Sequence, residues 1–163
     1  MNSAETPRRV VERFLAEAVT EGDSAAMDEL VAEEALKEGV AWIKEAFPDH
    51  AAIPEKLLAA ENDHVVAVLR ASGTHRGPLR GVPLEGQSMT DQPGRSAGVL
   101  KTIPPTGKRW EVSTTALYKV EEGRITAHWL VWDWLSILDQ LGAQQAVAGA
   151  QPGDPESPGA AGS

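Results

Sequence analysis

One stretch constrains this chain more than any other: Glu121 to Gly142, EEGRITAHWLVWDWLSILDQLG. It reads as a turn at Glu122-Gly123, a strand from Arg124 to about Trp132, and a short helix closed by Gly142. Side chains alternate across a strand. Ile125, Ala127, Trp129 and Val131 are therefore expected on one face, and Thr126, His128, Leu130 and Trp132 on the other. The second face mixes two polar groups with two large apolar ones, which fits a pocket wall better than a solvated surface. Asp133 follows, between Trp132 and Trp134. Two compatible roles are open to it. Desolvation by the indoles would raise its pKa and suit it to proton transfer. As a helix cap it would accept backbone N–H groups.

The rest of the chain supplies helices first and strands second. Thr6 and Pro7 start a helix in which Val10, Val11, Phe14, Leu15 and Ala18 recur at helical spacing, and Gly22 ends it. Asp23 or Ser24 caps a second helix through Met27, Leu30 and Val31. The stretch from Ala32 to Gly39 fits either a continuing helix or a turn into a third one. Val40 to Phe47 reads as helix, and Pro48 forces the chain out of it. Pro54 to Ala60 is expected as a strand, Glu61-Asn62-Asp63 as a hairpin turn, and His64 to Gly73 as the next strand. In that strand Val65, Ala67, Leu69 and Ala71 share a face. Lys108 to Val120 is strand again, with Trp110, Val112, Thr114, Ala116 and Tyr118 on one face and Glu111, Ser113, Thr115 and Leu117 on the other. This order is an α+β pattern, a curved antiparallel sheet with helices packed on one face. Residues 1–142 are expected to form one domain with a long Gly- and Pro-rich loop at about 78–102, and 143–163 a flexible tail.

Composition narrows the function. With 42% hydrophobic residues the chain is globular, and 24 acidic against 15 basic residues give a formal charge of −9. That argues against nucleic acid and against an anionic membrane surface as partners. No apolar run reaches the length of a membrane span. Cysteine is absent, which removes disulfides, thiolate zinc sites and cysteine nucleophiles. No secretory signal pattern opens the chain, and a cytoplasmic location is expected. The four histidines lack metal-ligand spacing. Neither a phosphate-binding Gly loop nor a serine nucleophile elbow is present.

Several stretches together resemble the SnoaL-like polyketide cyclases of the nuclear transport factor 2-like superfamily. They are VVERFLAEAVTEGDSAAMDELVAEEA, AFPDH at 46–50, ENDHVVAVLRASGTHRG at 61–77, IPPTGKRWEV at 103–112 and YKVEEGRITAHWLVWDWLSILDQLG at 118–142. The resemblance implies a cone-shaped α+β barrel around an apolar pocket, commonly a homodimer through the sheet. It also implies an intramolecular aldol-type ring closure of a polyketide ester, with an aspartate as acid/base and neither metal nor cofactor. Relatives also hydroxylate, or only bind ligands. A binding or accessory protein and a cofactor-free oxygenase are therefore the alternatives. This chain departs from the pattern in two places. The short strand and histidine expected between the second and third helices are not evident around 35–39, and residues 78–102 read as an insertion.

Aldol chemistry needs a base beside a carbonyl and an acid for the developing alkoxide, and one group with a pKa near the working pH serves both. Asp133 is the first candidate and His128 the second. For the substrate, the candidates are Trp129, Trp132 and Trp42 as apolar walls, Thr115 and Tyr118 as hydrogen-bonding groups, and His75 and Arg76 in the GTHRG turn. His50 and His64 are expected at the surface. The expected ligand is an apolar, carbonyl-rich small molecule.

Overall fold

The computed structural model describes residues 5–81 and 102–143. Most of the expected inserted loop and all but the first residue of the expected tail lie outside the described residues. The elements are α1 (Pro7–Arg13), which continues without a break into wider π-type turns (Phe14–Glu21), α2 (Ser24–Leu30), α3 (Glu34–Ala46), β1 (Ala51–Ala59), β2 (His64–Thr74), β3 (Arg109–Glu121), β4 (Arg124–Val131) and α4 (Trp134–Leu141). No helix among the described residues is long and apolar enough to cross a membrane.

Local chemistry sets the helix ends. Thr6 Oγ1 accepts from Arg9 N, Pro7 fills the first helical position, and Gly22 closes the helix at φ 78°. Asp23 then accepts from the Ala25 and Ala26 N–H groups to start α2. The π-type turns have a reason in the sequence. The buried pairs Val10/Val11, Phe14/Leu15 and Ala18/Val19 recur every four residues. At about 3.6 residues per turn, α-helical winding would carry such pairs progressively around the axis. The wider turn, bonded i to i+5, holds them closer to one face.

The four strands form one antiparallel sheet in the order β1-β2-β3-β4, curved and unclosed. Its hairpins use left-handed residues, Asn62 and Asp63 in the first and Glu122 and Gly123 in the second, as tight hairpin turns require. Each edge strand carries an irregularity, between Pro54 and Lys56 on β1 and opposite Lys119/Val120 on β4. Proline without an N–H is tolerated on such an edge. On β4, Val120 pairs with Ile125 and Lys119 with Ala127, so Thr126 is the extra residue. This bulge corrects the expected alternation. Ile125 is fully buried, on the same side of the sheet as His128, and Ala127, Trp129 and Val131 turn outward.

Two apolar clusters form between sheet and helices. In one, Phe14, Leu15 and Leu30 pack on Val65, Ala67, Tyr118 and Ile125. In the other, Ile43, Phe47, Trp110, Ile137, Leu138 and Leu141 close the opposite end. Glycine permits a close approach here: a Cβ on Gly77 would lie 1.9 Å from the Glu45 carbonyl oxygen. The Arg76 and Gly77 N–H groups both donate to Ala46 O, fixing the β2 end against α3.

Candidate active site

Between the two clusters lies a cavity enclosing about 490 Å³ of atom-free space, counting the part open to solvent. Its walls are mostly aliphatic. Leu36, Val40 and Ile43 come from α3, Phe14, Leu15 and Val19 from the first helix, and Leu69, Ala71 and Leu130 from the sheet. Against this background stand His128, Tyr118, Thr114, His50 and Trp132.

His128 is 3% exposed, and its Nδ1 lies 2.6 Å from Glu33 Oε2. The two residues are 95 positions apart, and a specific local structure joins them. Val31 forms a parallel bridge with Ile125, and Ala32 N donates to Ile125 O at 2.9 Å. The Arg124 guanidinium donates to the carbonyls of Asp28, Glu29 and Val31, tying the end of α2 to β4. The chain thus runs beside β4 just before α3, and Glu33 reaches His128 from the N-cap position of that helix. Its side chain makes no capping bond there, because the carboxylate is turned to the imidazole. A carboxylate only accepts, so in the neutral ring Nδ1 carries the hydrogen and Nε2 keeps the lone pair. Among the described residues Nε2 makes no hydrogen bond.

Tyr118 pairs with His128 directly across β3 and β4. Both are buried on the inner face, and Cβ atoms in such pairs lie about 5 Å apart. Burial pushes the Tyr118 phenol above its ordinary pKa, which keeps it an O–H donor. Its ring is held edge-on by Phe14 at 5.7 Å. A histidine and a tyrosine therefore leave paired positions of one largely apolar wall and both line the cavity. Thr114 Oγ1 is already committed, donating to Val131 O.

This fold and site can be set beside known proteins. A profile described as SnoaL-like polyketide cyclase matches residues 4–141. The chain belongs to the SnoaL-like polyketide cyclase family. A solved structure described as a polyketide cyclase from Acidithiobacillus ferrooxidans is similar at 25% identity and TM-score 0.61, over 90% of this chain and 99% of that one. TsrD from Streptomyces laurentii is similar at 24% identity and TM-score 0.58, over 83% and 94%. IdmH from Streptomyces antibioticus, also described as a polyketide cyclase, is similar at 23% and 0.58, over 85% and 99%. No curated protein matches the sequence. The similarities fit the nuclear transport factor 2-like architecture expected above.

In this SnoaL-like chain the cavity takes in His128, Tyr118 and Trp132 from the candidates. The others lie elsewhere. Trp129 and Thr115 are on the outer face, Trp129 at 46% exposure with His64 stacked on it at 6.0 Å. Trp42 packs edge-on against Trp134 at 5.6 Å and donates to Arg80 O. His75 is fully buried beside Phe47, with its Nδ1 accepting from Thr106 N, and serves the turn. Arg76 is exposed.

Of the two roles open to Asp133 the structure shows the cap, and the expected rise in its pKa needs a correction. The residue is exposed and does not line the cavity, and it caps α4: Oδ1 accepts from Ser136 N at 3.0 Å and Oδ2 from Ser136 Oγ at 2.6 Å. The Ser136 hydroxyl and N–H hold its carboxyl below the usual range and outweigh desolvation, the reverse of the expected direction. Asp133→Ala is expected to leave turnover unchanged and to lower stability by about 1 kcal/mol, the typical worth of a cap. A folded pKa below the unfolded one, near ~3.9, stabilises above the unfolded pKa and ceases to do so as pH falls through the folded pKa. The difference between wild type and variant should therefore shrink below about pH 4, measured by thermal unfolding across pH. A tenfold loss of turnover in a folded variant would restore the catalytic role.

Two residues of the site escaped the sequence reading, Glu33 behind His128 and His50 in the cavity wall. Glu33 stood in the stretch left open between helix and turn, and its carboxylate holds His128 from behind the cavity wall. His50 looked like a surface loop residue, yet it is 3% exposed and lines the cavity. Its signal was the AFPDH motif itself.

Proposed function

We propose that this protein is an acid/base cyclase or isomerase, independent of cofactors, acting on an apolar, polyketide-like carbonyl compound. His128 Nε2 takes a proton from the carbon beside a carbonyl. The electron pair released forms the new carbon–carbon bond to a second carbonyl, whose oxygen receives the proton back from Nε2. The Tyr118 hydroxyl donates to the oxygen on which charge develops. Glu33 stabilises the transient imidazolium, as a carboxylate does in a hydrolase triad. The observation that carries this reading is the 2.6 Å Glu33–His128 contact behind a largely apolar cavity that His128 lines. Family membership and the neighbours described as polyketide cyclases support the substrate class.

The test is to mix the full chain with aromatic β-keto ester polyketide intermediates. Tryptophan fluorescence would report binding and chromatography would report ring closure. Quenching with a new cyclic product is the expected result. Quenching without conversion would make the protein a binding module, and neither signal would overturn the substrate class.

A further inference from the structure

The cavity holds a second histidine that this chemistry does not use. His50 Nδ1 lies 3.0 Å from the Ser72 carbonyl oxygen. A carbonyl only accepts, so Nδ1 carries the ring hydrogen and Nε2 is left as a lone-pair acceptor. Among the described residues that nitrogen has no partner, and the ring is part of the cavity wall. The imidazole is held firmly. Trp110 stacks on it at 5.9 Å and 23°, and the Trp132 ring stands 5.9 Å away at 51°. Its main chain is fixed by a bond from His50 N to Phe47 O and another from Lys44 Nζ to His50 O. Burial, reinforced by the nearby Lys44 charge, pushes the ring down to about 4, so it stays neutral at neutral pH. The nitrogen is open to the cavity and not sealed in the core, so a ligand donor can reach it.

Across the sheet His128 is level with Tyr118 and Val65, whereas His50 bonds the Ser72 carbonyl, further along β2 toward its other end. The base and this acceptor thus stand towards opposite ends of one apolar cavity. We propose that His50 Nε2 is a positioning acceptor for a hydroxyl at the far end of the substrate. The ligand class is then an elongated, apolar fused-ring compound with a phenolic or enolic O–H remote from the reacting carbon. Placing the reacting carbon at His128 rests on the proposed function; the acceptor itself does not.

The experiment compares 2-naphthol with 2-methoxynaphthalene, which lacks the donor, by calorimetric titration of the full chain. Wild type is expected to prefer the naphthol about tenfold, the worth of one buried hydrogen bond. In His50→Asn the amide N–H can still reach the Ser72 carbonyl, but no acceptor stands at the Nε2 position. That variant should bind both probes alike, and His128→Asn should keep the preference. In nitrogen-15 spectra of the wild type, the naphthol and not the ether should move the His50 Nε2 resonance, a readout independent of any variant. Equal affinity in wild type, no binding of either probe, or a preference retained in His50→Asn would each overturn the inference. Loss of the preference only in His128→Asn would also overturn it, by moving the hydroxyl to His128, while the acid/base reading of His128 would stand.

Discussion

Replacing His128 with asparagine is expected to lower turnover by about 10²–10⁴-fold, the range a general acid/base supplies, with the fold preserved. Asparagine is the informative choice. Its amide can still donate toward Glu33, so the carboxylate is not left without its partner, while the proton-accepting atom at the ε position is gone. Glu33→Gln separates the two roles. Its amide oxygen can still accept from Nδ1–H and hold the ring, but it carries no charge to offset the imidazolium. A loss of roughly tenfold or more in kcat with KM nearly unchanged is expected, because an interaction that strengthens only in the transition state acts on kcat. Steady-state kinetics on the cyclising substrate checks both. Turnover within twofold of wild type in His128→Asn would remove this histidine from the chemistry.

The largest effect on stability is expected at Trp110. Its ring is fully buried and lies 5.1 Å from Phe47 and 5.9 Å from both His50 and Trp132. Its Nε1 is buried and unpaired among the described residues, so the residue contributes through packing and area. The fit is close: a Cβ on Gly73 would meet Phe47 Cβ at 2.8 Å and Trp110 Nε1 at 3.3 Å. Trp110→Ala should cost about 3–5 kcal/mol, which for a chain of this size lowers Tm by roughly 10 °C. Trp110→Phe should cost distinctly less. Calorimetric or circular-dichroism melts decide this, and a shift of only a degree or two would mean that the cluster collapses into the space.

Much of the fold could be read from local chemistry. The caps at Thr6, Asp23 and Gly22 and the two hairpin turns depend on neighbouring residues alone. So does the alternation that buries Val65, Ala67, Leu69 and Ala71 on β2 and places Tyr118 inward on β3. The site was less legible, because it depends on relations that no window of sequence contains. One inserted residue, Thr126, changes which neighbours Ile125 shares a face with, and alternation by itself cannot locate a bulge. The partner of His128 arrives from another layer, guided by the Arg124 bonds to α2. The cap role of Asp133 was legible, but the direction of its pKa shift was not, for a geometric reason. The turn into α4 faces Trp134 into the core and partly buries Trp132, while Asp133 points to solvent. Neighbours in sequence therefore desolvate it too little to offset the Ser136 hydrogen bonds. His50 was hidden by the opposite error, since a residue at the end of a loop is buried here by Trp110 and Trp132.

The cavity is built by two layers with different duties. The groups proposed to handle protons and oxygens, His128 and Tyr118, are fixed in register by strand pairing. Much of the shape of the space comes from one side of α3, through Leu36, Gly39, Val40 and Ile43. A helix face can exchange side chains without shifting the hydrogen-bond ladder of a sheet. Descendants of such a protein can therefore drift toward new molecules by resculpting that helix while inheriting the reactive pair unchanged, and laboratory selection for a different ring system has its natural starting library at these four positions.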